Sequence, residues 1–335
     1  MNDRAHTWVL ILAAGAGTRL RSLTTTAGGV SVPKQFCSLY GGLSLLEEAI
    51  QRALQVAPSE RVCSVVAPEH SQWWKPALRQ LQERNIIVQP ENRGTAHGIL
   101  LPLMRIFARD ADANVLVLPS DHYMRDETAF AQWLRAAAGL AVTAPDAVYL
   151  LGIDPDEPDT ELGYIVPQTR GEYGVSHVSK FVEKPTMPQV HALRRQGALW
   201  NTFIVAASIR SFIMLFAKRL AETVNDMLTV SVADPSESGS AVGLDRLYRQ
   251  LPSLDFSRDV LEGQEAMLRV LAIPNCGWTD LGTLRRVAQT LQQWPEDSRT
   301  SHRPGAGGDP SNLSLSAQYL RAISSDSGYD HYAKH

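Results

Sequence analysis

Cysteine is scarce in this sequence: Cys37, Cys63 and Cys276 are the 3 in 335 residues. Odd in number and widely spaced, they exclude a disulfide framework and a C-x-x-C metal site, and they fit a reducing cytoplasm. Long apolar runs are missing as well, since nothing approaches the roughly 20 residues that span a bilayer. The apolar stretch near the start, Trp8–Ala14, runs straight into Gly15 and reads as a buried strand rather than a signal core. Nor is there an excess of basic charge, and a formal net charge of -3 gives no field that would draw nucleic acid. Neither a membrane nor a nucleic acid is expected as a partner.

What is there is the composition of a globular protein, with 44% hydrophobic and 20% charged residues. Unbroken apolar runs at 8–14, 61–67, 86–89, 114–119 and 147–153 read as strands buried on both faces, the habit of parallel sheets. Between them Leu45, Leu46, Ala49, Ile50 and Ala53 recur at helical spacing, as do Ile99, Leu100, Leu103, Met104 and Phe107. The order predicts an α/β fold with a Rossmann-like, doubly wound, mixed but mostly parallel sheet. Hairpin-like pieces at 163–167 and 175–183, then 199–207 and a last strand at 267–274, extend the same sheet. A loop is expected over 233–240 and a closing helix over 284–291. One unit is thus expected over 1–294, in two halves at 1–155 and 156–294. Residues 295–335 turn to Ser, Gly, Pro and Asp and are expected as a disordered polar tail, with room for a short helix near Leu315–Ile323.

The strongest local signal is Gly15-Ala16-Gly17-Thr18-Arg19-Leu20, directly after the first strand. Its glycines let backbone amides close on an anion, which makes Ala14–Arg19 a phosphate-loop candidate. Leu20 stands where a dinucleotide fingerprint needs its third glycine, and the Lys-Ser/Thr ending of a P-loop is missing. G-x-G alone more often marks a plain tight turn, but Arg19 beside it offers a fork that matches phosphate oxygens. Pro33-Lys34-Gln35-Phe36 then holds Lys34 on a loop that Pro33 stiffens, free to project a point charge. Asp121 lies just past the carboxyl end of the 114–119 strand, where open α/β sheets bind ligands. It is the leading ligand for Mg²⁺, a hard cation that often takes only one or two oxygens from protein. His122 is read as a structural hydrogen-bonding histidine rather than a base, because an ionised phosphate needs no deprotonation.

Together the Gly15–Arg19 and Pro33–Phe36 segments resemble the opening of the sugar-1-phosphate nucleotidyltransferases, and the P-K-Q-F form is closest to the mannose-1-phosphate guanylyltransferases. Between them Arg21–Gly29 departs from that family's W-P-L-S-R-type segment. The resemblance continues in order over residues 8–290. Glu91-Asn92-Arg93-Gly94-Thr95-Ala96 resembles E-x-x-R-x-T-A, which implies that Glu91, Arg93, Thr95 and Ala96 lie by the nucleobase; His97 and Gly98 depart from the usual pair. Thr160–Ile165 is similar to T-G-Y-G-Y-I, which places Gly163 against the sugar. Val182-Glu183-Lys184-Pro185 matches E-K-P, implying that Glu183 bonds sugar hydroxyls and Lys184 meets the sugar phosphate. Trp200-Asn201-Thr202-Phe203 resembles W-N-S-G, with Asn201 a sugar ligand and Thr202-Phe203 altered. Gly277–Gly282 resembles G-W-S-D-V-G, which makes Asp280 a second metal ligand.

The resemblance implies in-line attack of a hexose 1-phosphate oxygen on the α-phosphorus of an NTP, with loss of pyrophosphate. GTP and mannose 1-phosphate, giving GDP-mannose, are the expected pair. Arg19, Lys34, Asp121, Lys184 and Asp280 would carry catalysis, with Mg²⁺ as cofactor and no covalent intermediate. Another NTP or sugar is one alternative, and a non-catalytic nucleotide-sugar sensor is a second. A glycosyltransferase is disfavoured, because Ser120-Asp121-His122 supplies no D-x-D pair. A homodimer is left open.

Overall fold

Strand β1 (Thr7–Ala13) is buried along nearly all its length, and its alternation explains why it carries no polar face. Trp8 and Leu10 enter one apolar cluster, while Val9, Ile11 and Ala13 enter another on the opposite side of the sheet. The structure, a computed structural model, describes residues 5–26, 28–169, 174–232, 238–293 and 313–325. Beside β1, in parallel, lie β2 (Val62–Val66) and β4 (Asn114–Pro119), and β3 (Ile86–Val88) pairs beyond β2. Strands β5 (Val148–Ile153), β6 (Tyr164–Pro167), β7 (Gly174–Val182), β8 (Leu199–Ser208) and β9 (Leu268–Ile273) complete one sheet, ordered β3-β2-β1-β4-β8-β5-β9-β7-β6. Within it β7 and β8 run against the other strands, so the sheet is mixed and mostly parallel as expected.

The helices are α1 (Arg21–Thr24), α2 (Leu45–Leu54), α3 (Ser71–Ala77), α4 (Gly94–Arg109), α5 (Glu127–Thr143), α6 (Met187–Arg195), α7 (Ile209–Val232), α8 (Ser238–Gln250) and α9 (Leu284–Gln292). Leu45 of α2, Leu134 of α5 and Val287 of α9 pack on the face that holds Val9. Ile99 of α4 and Phe212 of α7 pack on the face of Trp8, which makes the sheet doubly wound. Capping fixes where the site-bearing loops end. Ser44 and Glu47 form a reciprocal box at the start of α2, with Ser44 N donating to Glu47 Oε2 at 2.8 Å. Thr283 Oγ1 accepts from Arg286 N at 3.2 Å and starts α9.

Two expectations fail. Ser238, Gly239 and Ser240 open α8 rather than continuing a loop, while 233–237 lie outside the described residues. Part of the expected tail is docked: Ser38 N donates to Leu313 O and Leu315 N to Ser38 O, both at 2.8 Å. The helix α10 (Leu315–Ser325) follows where room for a short helix was expected, with Leu315 fully buried and Leu313 and Tyr319 packed against the same core. These few apolar residues meet the core edge beside Leu39, and their burial outweighs the polar composition around them. The rest of 295–335 lies outside the described residues. Among the described residues no helix is long and apolar enough to cross a membrane.

Candidate active site

The carboxyl ends of β1 and β4 lie side by side, with Leu12 opposite Pro119. Strand β1 has β2 on its other side, so the two loops diverge there and open a cleft at the switch point of the sheet. The cleft has a volume of about 390 Å³, within the usual range for small-molecule sites. Gly15, Gly17, Thr18 and Arg19 line it, whereas Ala14 and Ala16 do not. Gly17 has φ +58°, and a Cβ there would fall 2.7 Å from Lys34 N, so only glycine lets the two loops close on each other. Gln35 holds the loop from behind, its Nε2 donating to Ala13 O at 3.1 Å and Gly15 O at 2.7 Å. Nothing in the sequence marked Gln35 for that role. Arg19 lies at the mouth, over half exposed, with Nη1 3.7 Å from Glu161 Oε2.

Lys34 departs from expectation. It is buried rather than projecting, with Nζ 2.8 Å from Asp121 Oδ2 and donating to Asp280 O. A two-residue bridge explains the meeting: Tyr123 and Thr279 exchange backbone hydrogen bonds at 2.9 Å, drawing the loop after β9 against the loop after β4. Asp280 Oδ1 accepts from Gly282 N at 3.0 Å and from the Arg286 guanidinium. Arg286, buried, also pairs with Asp159 and lies over the Trp200 ring at 5.6 Å. Neither Arg286 nor Asp159 was anticipated; a second arginine in the first turn of an amphipathic helix, six residues past Asp280, was the available signal.

Burial alone would raise both carboxyls. Lys34 and then His122 outweigh it at Asp121, and Arg286 and then Lys34 at Asp280, so both are held below the usual carboxylate range. Burial pushes His122 down to about 4, opposed by Asp121. Trp278 Nε1 donates to its Nδ1 at 3.2 Å, which makes His122 a neutral structural residue here, in keeping with expectation. No cluster of three or more His, Cys, Asp or Glu able to hold a metal occurs among the described residues. The donor set nevertheless suits a hard cation. Asp280 Oδ2 has no hydrogen-bond partner among the described residues, and the nearest partner of Asp121 Oδ1 is His122 Nε2 at 3.8 Å. Each aspartate therefore keeps one oxygen for an ion whose other ligands come from phosphate and water.

The far wall gathers Gly163, Glu183, Lys184, Asn201 and Phe203. A Cβ on Gly163 would lie 2.5 Å from Glu183 Oε2, and Gly163 O accepts from Asn201 N at 2.8 Å, so three expected residues are interlocked. Phe203 N donates to Asn201 Oδ1 at 3.1 Å, which leaves the amide nitrogen as the donor toward the cleft. Burial pushes Glu183 up to about 7, with Asp255 adding to it and Lys184 opposing. Lys184, Phe203 and Leu281 have φ of +48°, +60° and +47°, and all three line the cleft. Non-glycine residues so placed concentrate at functional sites. Phe203 takes that strained conformation where W-N-S-G has its glycine.

The Glu91–Ala96 segment behaves differently, for Thr95 reaches the cleft and Glu91, Arg93 and Ala96 do not. Arg93 Nη2 pairs with Glu91 Oε2 at 2.7 Å and donates to Arg249 O at 3.3 Å. Ala96 is fully buried, its N donating to Leu254 O at 3.1 Å. His97 is buried too, with Nε2 3.0 Å from Pro252 O. The loop 252–256 covers this end of α4 and brings Asp255 into the cleft, with Thr95 Oγ1 3.3 Å from its Oδ2.

The profile of the nucleotidyl transferase family matches residues 8–295. The alginate biosynthesis protein AlgA of Pseudomonas aeruginosa is 27% identical over 281 residues, which cover 82% of this chain and 56% of that protein. A mannose-1-phosphate guanylyltransferase of Klebsiella pneumoniae is 28% identical over 285 residues, covering 82% and 58%. The chain thus spans little more than half the length of these relatives. A crystal structure named mannose-1-phosphate geranyltransferase, from Thermus thermophilus, superposes with a TM-score of 0.72 at 26% identity, over 87% of this chain and 80% of that one. A UDP-glucose pyrophosphorylase complexed with UDP-glucose shares the fold at a TM-score of 0.55 and 14% identity, over 89% and 99%.

Proposed function

The chain belongs to the nucleotidyl transferase family, and from that premise we propose that it joins a hexose 1-phosphate to the nucleotidyl group of an NTP and releases pyrophosphate. The observation that carries this is the cleft itself, which has an arginine and glycine loop at one end, Glu183, Lys184 and Asn201 at the other, and Lys34 between two aspartates in the middle. Arg19 and the Gly15–Thr18 backbone hold the β- and γ-phosphates. Glu183 and Asn201 Nδ2 fix sugar hydroxyls, and Lys184 turns the sugar phosphate toward the α-phosphorus, so the two substrates meet in line without a protein nucleophile. Lys34 ties the Asp121 carboxylate to the Asp280 backbone carbonyl and offsets charge on the departing pyrophosphate. Asp121 and Asp280 would hold Mg²⁺, which when bound neutralises the phosphate oxygens.

GTP and mannose 1-phosphate are the pair this proposal favours, since the mannose-1-phosphate guanylyltransferases are among the relatives and P-K-Q-F is shared with that branch. A guanine edge offers two N–H donors, which the Asp255 carboxylate beside Thr95 suits and an adenine edge lacks at that place. Leaving one buried polar group unpaired costs about 1–3 kcal/mol, so GTP is expected to exceed ATP by at least about tenfold in kcat/KM. The test is pyrophosphate release from purified protein with each NTP against a panel of hexose 1-phosphates. Equal use of GTP and ATP would overturn the guanylyl assignment, and no release with any pair would overturn the enzymatic one.

A further inference from the structure

The proposed site already contains its own counter-ions. Lys34 Nζ is 2.8 Å from Asp121 Oδ2, and the Arg286 guanidinium is hydrogen-bonded to Asp280 Oδ1, so each candidate metal ligand is paired with a buried cation. Nothing in the function proposed above requires Arg286, and it touches no surface of the cleft. It bridges three segments that form the site's walls: Asp280 after β9, Asp159 before β6, and Trp200 next to Asn201. Such a buried, twice-paired arginine resists removal, because losing it strands two carboxylates in a poorly solvated place.

Resting on that function, we propose that Arg286 is a positioning residue that turns Asp280 so that Oδ2 alone faces the cleft, and that with Lys34 it offsets the charge of the two aspartates until a triphosphate arrives. The argument is electrostatic. Two carboxylates facing one another would bind a divalent ion strongly by themselves, but two full positive charges a hydrogen bond away cancel most of that attraction. An NTP brings three or more negative charges to the same place, so the ion enters as its complex with the nucleotide. Fixing one oxygen of Asp280 also removes the bidentate mode that would suit a larger ion such as Ca²⁺.

Mn²⁺ alone is the probe, its free aquo signal followed by electron paramagnetic resonance without nucleotide; with GTP, which itself complexes Mn²⁺, the protein-bound metal is measured by equilibrium dialysis against a protein-free GTP solution. The wild-type protein should bind Mn²⁺ weakly alone and tightly with GTP. Arg286→Met should tighten binding of Mn²⁺ alone by at least about tenfold, the effect of one nearby unit charge at partly buried dielectric. The Arg286→Met/Asp159→Asn double variant, which strands no carboxylate at 159, should show the same gain and keep its fold, and Arg286→Lys should return nucleotide-free binding toward wild type. Unchanged Mn²⁺ binding in folded Arg286→Met or in the double variant, whatever happens to melting temperature, overturns the inference. Asp280→Asn separates it from the function it rests on: if that variant binds Mn²⁺ with GTP as the wild type does, the metal assignment itself fails.

Discussion

Two regions around the cleft are built on opposite principles. Around Lys34, the loops after β1, β4 and β9 converge, and long-range bonds hold them, such as that between Lys34 and Asp280, 246 positions apart. On the other side, the Glu91–Ala96 segment is tied to its neighbours more than to the cleft, with Ala96 buried and Glu91, Asn92 and Thr95 exposed. Its charged residues satisfy one another and the backbone of 249–254, and a Cβ on Gly94, at φ +84°, would fall 2.1 Å from Leu254 O. The same density of motif residues therefore means different things in the two places. In one it marks groups aimed at a ligand, and in the other a helix start sealed by the loop that supplies Asp255.

That contrast can be broken at several points. The largest effect is expected from Asp121→Asn or Asp280→Asn: turnover should fall by at least about 100-fold, as when a preorganised charge at a reacting phosphate is lost, while far-UV circular dichroism stays native. Near wild-type activity in both would dissolve the distinction in favour of a merely structural acid pair. A smaller effect comes from the far wall. Glu183, held at about 7 by burial, is largely protonated at pH 6 and ionised at pH 8. As a carboxylate it accepts stronger bonds from sugar hydroxyls, so kcat/KM for the sugar phosphate should rise several-fold over that window. Because its folded value lies above the unfolded one, its contribution to stability is present at low pH and fades as pH rises through about 7. Activity and melting temperature should thus move in opposite directions, and Glu183→Gln should flatten both slopes beyond what titration of the substrate phosphate explains. The smallest effect is expected from Arg93→Ala, within about twofold in kcat and in KM for the nucleotide, as for a residue outside the site. A tenfold rise in that KM would return Arg93 to the nucleobase.

Much of this was legible from residue order. All nine strands of the described residues were expected within a residue or two, because most are apolar runs ended by Gly, Pro or a polar cluster, while β7 shows as a mixed polar and apolar hairpin arm. Gly15, Arg19, Asp121, Glu183 and Asn201 came out at one cleft: the first four follow the carboxyl ends of β1, β4 and β7, and Asn201 lies near the amino end of β8, which runs antiparallel to β4. Three things were hidden. Whether Lys34 is free or paired depends on Asp121 and Asp280, and no local pattern reports which distant acid a lysine will meet. The positive φ of Lys184, Phe203 and Leu281 is imposed by packing against residues' natural preference, so propensity points the wrong way. The docking of Leu313–Ser316 on Ser38 rests on a few apolar side chains in a polar stretch, which composition averages away.

That docking has a consequence for the order in which the protein is made. The Lys34 turn is synthesised well before its partners: Asp280 closes its ammonium, and Leu313 and Leu315 clasp Ser38. A growing chain can pair β1 with β2 and β4 early, but it carries the 33–39 turn unclasped until residues 280–315 have emerged. A nascent chain arrested just before residue 280 would thus hold every strand of the sheet, while Lys34 lacks the Asp280 carbonyl and Ser38 lacks its 313–315 clasp.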